Sequence, residues 1–70
     1  MDEEALNLSM RKFLKMVGVS SQREIEHAVA AALEKGRIAG GETLPATMTL
    51  AVPGLQLQVS FDGELKLAAE

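Results

Sequence analysis

An α+β fold, with a two-helix hairpin packed on one face of a three-stranded antiparallel meander (ααβββ), is predicted by three features of the chain. Two amphipathic helical stripes fill the first half. Three apolar/polar alternations follow in the second half, and glycine-containing turn signals separate the segments. Apolar residues at helical spacing mark a face turned to a core, and strict alternation marks a half-covered strand.

The first helix is predicted from about Glu3 to Val17. Asp2 suits the N-cap, and Glu3 and Glu4 sit where the positive end of the helix dipole favours anions. Leu6, Met10, Phe13, Leu14 and Val17 form one stripe, and Gly18 follows as a residue able to take the left-handed conformation that ends helices. A second helix is predicted to open with Ser21 and Glu24 as a capping box and to bury Ile25, Val29, Ala32 and Leu33. Gly36 is its stop signal. The short Gly18–Ser21 connection then makes the two helices a pair.

Residues 37–45 read as a loop with its apex at Gly40-Gly41, pinned by Ile38 and Leu44. The meander is predicted over 46–69. Pairing Val52 with Leu55 around Pro53-Gly54 sets Leu50 opposite Leu57 and Met48 opposite Val59. A three-residue loop of Phe61, Asp62 and Gly63, with Gly63 left-handed in a bulge, sets Val59 opposite Leu65 and expels Phe61 from the ladder. The whole chain, 1–70, reads as one small domain.

Composition limits what such a domain can do. Seventy residues lie near the lower bound at which one core sustains a fold, and no cysteine is present to add a disulfide or a thiolate metal site. With a single histidine, no metal, cofactor or catalytic constellation is expected, and the reading is non-enzymatic. A net charge of −3 argues against nucleic acid and anionic lipid as partners. The longest apolar run, Ala28 to Leu33, is far too short for a bilayer, and the Met-Asp-Glu-Glu opening is the opposite of a basic signal region. A cytoplasmic protein is expected.

Four features invite a functional reading. His27 lies away from the apolar stripe, with no nucleophile or second ligand to serve, so a surface role is expected. Gly40-Gly41-Glu42-Thr43 superficially suggests a phosphate cradle, but it follows a helix, precedes a strand and contains no lysine, so loop closure is the better reading. Arg11, Lys12, Lys15 and Arg23 form a candidate anion-binding face, diluted by Glu26 and Glu34. Leu8, Met16 and Ala30 on the outer helix surfaces, with Gln56 and Gln58 on a lightly charged sheet face, form a candidate surface for a protein partner or for self-association.

Several segments also resemble a known family: Arg11-Lys12-Phe13-Leu14-Lys15, Val17-Gly18-Val19, Ser21-Gln22-Arg23-Glu24-Ile25-Glu26, Glu42-Thr43-Leu44-Pro45 and Asp62-Gly63-Glu64. They are similar to a family of short bacterial proteins of unknown function, over nearly the full chain. The resemblance implies a stand-alone bacterial cytoplasmic protein and carries over no catalytic or binding residue. The expected function is therefore that of a small interaction module, with a weak nucleic-acid or anion-binding regulator as the alternative.

Overall fold

The computed structural model describes residues 1–69 and contains one long helix followed by one antiparallel hairpin. Helix α1 spans Glu3–Glu34, strand β1 spans Thr43–Val52, a single 3-10 turn covers Pro53–Leu55, and strand β2 spans Leu57–Lys66. The order is αββ. This corrects the expected helical hairpin on a three-stranded meander. The chain falls into two units, one ending at Arg37 and one beginning at Ile38.

Helix α1 is one rod of 32 residues, about 48 Å long at 1.5 Å per residue. Its ends behave as their residues dictate. The Asp2 carboxylate accepts a hydrogen bond from the Ala5 amide at 3.1 Å, and the Asp2 carbonyl accepts the first helical bond from Leu6. At the far end Gly36 adopts φ +72. The Gly36 amide donates to Leu33 and the Arg37 amide to Ala32, the paired bonds of a Schellman cap.

The expected break at Gly18 does not occur. A glycine inside a helix costs about 1 kcal/mol relative to alanine. Ending one helix and starting another there would instead orphan a set of carbonyls and a set of amides. The apolar pattern also runs straight through the glycine. Leu6, Val17 and Ala28 recur at eleven-residue intervals, as do Met10, Ser21 and Ala32, and Leu14 with Ile25. Such a repeat tracks a straight α-helix closely, because eleven residues nearly complete three turns. Ser21 and Glu24 therefore sit in mid-helix and not in a capping box.

In the hairpin, Val52 pairs with Leu57, Leu50 with Val59, Met48 with Phe61, Ala46 with Gly63 and Leu44 with Leu65. The first turn is two residues longer than expected. A two-residue hairpin loop requires positive φ at its first position, which proline cannot adopt. Pro53 therefore starts a four-residue loop, closed by the Gln56 amide donating to the Pro53 carbonyl and by Gln56 itself at φ 53. Because the shift is an even number of residues, the apolar face keeps the expected parity.

The expected third strand and the bulge at Asp62-Gly63 are absent, because β2 continues through them to Lys66. Phe61 stays in the ladder opposite Met48. Leu44 and Pro45, expected in the loop, belong to β1. Pro45 is tolerated because each strand of a two-stranded ribbon is an edge strand. The polar face carries two cross-strand hydrogen bonds, Thr47 to Asp62 and one joining the Thr49 and Ser60 hydroxyls, each at 2.9 Å.

The expected enclosed core is missing: no described residue is buried. On the hairpin, Leu44, Leu50, Val52 and Leu65 are half-buried, and on the helix so are Val17, Val29 and Ala32.

Candidate interaction surface

The residues assigned to a core from their spacing instead form the main exposed apolar feature of the helix. Along the stripe Leu6 is 44%, Met10 46%, Phe13 47% and Leu14 60% exposed. Leu8 and Met16, singled out as the outer partner surface, are 56% and 55% exposed. They are thus no more available than Leu14 on the supposed inner side. Spacing alone could not separate the two, since it reports which residues share a face and not whether anything covers it.

Side-chain size along the stripe is uneven. The N-terminal half carries Leu6, Met10, Phe13 and Leu14, whereas the C-terminal half carries Ser21, Ala28, Ala31 and Ala32, with Ile25 between. Val29 and Leu33, expected on the same stripe, fall about 140° and about 180° round the continuous helix from Leu6. Ala30, proposed for the partner surface, is exposed as well.

The hairpin has a second apolar face, formed by Met48, Leu50, Val59 and Phe61 with the rungs on either side. Met48 and Phe61 both remain exposed. Ala46 opposite Gly63 leaves a rung of small side chains between the Met48–Phe61 and Leu44–Leu65 pairs. Gln58 lies on the other, polar face opposite Ala51, while Gln56 belongs to the turn. Those two glutamines therefore do not share one flat surface as proposed.

The basic residues are all exposed. Arg11, Lys12 and Lys15 lie within one helical turn of each other. Arg23 is eight residues past Lys15, about 12 Å further along the axis, so the four do not form one cluster.

At Gly40-Gly41 the chain supplies its own anion. The Glu42 carboxylate accepts from the Ala39 amide at 2.7 Å and the Gly40 amide at 2.8 Å. These bonds, with the one from the Glu42 amide, hold its carboxyl below the usual carboxylate range. A phosphate would have to displace that carboxylate, so the segment closes the loop between α1 and β1. His27 is exposed. Among the described residues no group of three or more His, Cys, Asp or Glu could hold a metal ion, and no helix is long and apolar enough to cross a membrane.

A family model matches residues 1–68, nearly the whole chain. The chain belongs to DUF6494, a family of unknown function. Neither the curated proteins nor the solved structures provide a match. Membership in DUF6494 agrees with the family resemblance found in the sequence and assigns no activity to any residue.

Proposed function

We propose that this chain is a non-enzymatic interaction module that works by self-association, with the apolar stripe of α1 as its contact surface. The observation that carries the reading is a 47% hydrophobic chain with no buried residue among those described. Small folds without disulfides or metals commonly complete their core with another chain.

The magnitudes agree with a reversible association. Leu6, Met10, Phe13, Leu14 and Ile25 are between 37% and 60% exposed. Covering what remains of each is worth about 1 kcal/mol, or about 10 kcal/mol over a pair of chains. An association cost of at least about 4 kcal/mol leaves about 6 kcal/mol, a dissociation constant of about tens of micromolar. The cysteine-free sequence suits a reducing compartment, and we place this action in the cytoplasm.

Sedimentation equilibrium across that concentration range tests the reading, with Leu14→Glu as the comparison. The native chain is expected to double its mass while the variant stays monomeric. A native chain that remains monomeric and fully helical at millimolar concentration overturns it.

A second reading rests on Arg11, Lys12 and Lys15, three exposed cations on one turn. They support weak binding of an anion or nucleic acid. Retention on heparin that falls steeply with salt tests this, and flow-through at low salt removes it.

A further inference from the structure

The proposed self-association leaves open how two copies align, and the distribution of side-chain volume and charge along α1 bears on that question. Resting on that reading, we infer that two α1 helices pair antiparallel, with residue i of one copy beside residue 38 − i of its partner.

Volume is the first support. Two paired helices keep a nearly constant interaxial distance set by the side chains between them. A parallel, in-register pair stacks Leu6 on Leu6 and Met10 on Met10 at one end, then Ala28 on Ala28 and Ala32 on Ala32 at the other. Such a seam is thick at one end and thin at the other. The antiparallel register sets Leu6 beside the partner's Ala32, Met10 beside the partner's Ala28 and Val17 beside the partner's Ser21. Each of those layers then holds one large and one small side chain. The eleven-residue spacing of these positions keeps them on one seam along the rod.

Charge is the second support, and it is independent of the first. Asp2, Glu3 and Glu4 crowd the N-terminal end, and Lys35 and Arg37 follow the C-terminal end. The antiparallel register brings Glu3 beside the partner's Lys35 and Glu4 level with the partner's Glu34, so the acidic block meets a stretch of net positive charge, Glu34 to Arg37. It also sets Lys12 beside the partner's Glu26 and the partner's Glu24 at a level between Lys12 and Lys15, while Lys15 falls level with the partner's Arg23 and Arg11 with the partner's His27. A parallel pair would place acid on acid at the start and three cations beside their own copies about two turns later. Opposed helix dipoles favour the same orientation. Block against block the second copy is thus opposite in charge, and the Leu6, Met10 and Val17 layers are complementary in size, while Phe13 meets the partner's Ile25 and Leu14 lies level with the partner's Glu24. A twofold contact of this kind is closed, because every residue that touches its counterpart is touched in return.

The native chain has no cysteine, so single thiols report the alignment directly. Variants L6C and A32C, each checked for native helicity, are oxidised separately and as an equal mixture, at a concentration where sedimentation of the unoxidised sample shows dimer. In the antiparallel pair, identical thiols lie about 39 Å apart along the axis. Neither variant alone is then expected to cross-link, whereas about half the dimers in the mixture, the statistical share of mixed pairs, become linked. A mixture of L8C with A30C obeys the same register on the opposite helix surface and is expected to stay unlinked. Cross-linking of each variant with itself establishes a parallel pair and overturns the inference. A sedimenting dimer in which the L6C and A32C mixture does not link overturns it too, while leaving self-association in place. A monomer at every concentration defeats the underlying reading itself, and that outcome is visible in the sedimentation before any oxidation.

Discussion

The Thr47 hydroxyl donates a hydrogen bond to the Asp62 carboxylate across the two strands at 2.9 Å. That contact lies between directly opposed residues in the middle of the hairpin. It places Asp62-Gly63, a dipeptide typical of tight turns, inside an extended strand. A double-mutant cycle with Thr47→Val and Asp62→Ala is expected to give a coupling of about 0.2–1 kcal/mol in thermal or urea unfolding, the range for exposed cross-strand pairs. Zero coupling would mean that the two residues are not opposed.

Two glycines, one inside the helix and one just past its end, are expected to respond in opposite directions. A Cβ added at Gly18 meets nothing within 4 Å, and the site is helical. Gly18→Ala is therefore expected to stabilise the chain by about 1 kcal/mol. Gly36 also has open space but sits at φ +72, which an L side chain adopts only under strain. Gly36→Ala is expected to destabilise by about 1 kcal/mol. Circular dichroism melts of both variants measure the contrast. A loss at Gly18 equal to that at Gly36 would indicate a helix terminus at both.

The hairpin turn carries a similar strain at Gln56, whose φ of 53 is the one positive value at a non-glycine among the described residues. Gln56→Gly relieves it and is expected to raise hairpin stability by up to about 1 kcal/mol. Chemical-shift changes confined to residues 53–57 would confirm that the gain arises in the turn. Destabilisation would mean that the Gln56 side chain itself holds the turn.

Glu42 links loop order to pH. Its folded carboxyl is held below the ordinary value of 4.5, chiefly by the Ala39 amide and then by the Gly40 amide. The stabilisation is accordingly complete above the unfolded-state value and disappears as pH falls through the lower, folded one. NMR titration is expected to show Glu42 ionising below the ordinary carboxylate value, with exchange of the Ala39 and Gly40 amides quickening as it protonates. Glu42→Gln is expected to give that loose loop at neutral pH. An ordinary midpoint for Glu42 would show that the two amide bonds do not persist in solution.

Much of the local structure was legible because each feature had a strong and nearby cause. Asp2 as N-cap, Gly36 as terminator and the parity of Leu50 with Val59 all follow from chemistry within a few residues. The structure departs from the sequence expectation where a local signal competes with a longer one. Gly18, Ser21 and Glu24 imitate a helix boundary, but the eleven-residue recurrence of Leu6, Val17 and Ala28 spans it. Asp62-Gly63 imitates a turn, but Leu44 and Ala46 offer β2 partners to its end. Pro53 is itself a signal against the shortest loops, because its fixed φ excludes them. The exposure of Leu14 was not readable at all, because an apolar stripe has the same spacing whether its cover is its own chain or another.

Hydrogen exchange of the Val19–Gln22 amides, followed from micromolar to millimolar protein, tests most directly that α1 is one helix completed by a second copy. In an unbroken helix these amides are bonded to carbonyls one turn back, and pairing raises their stability. Slow exchange that slows further with concentration is the expected result. Fast exchange at all four positions, unchanged by concentration, would contradict both the continuous helix and its pairing.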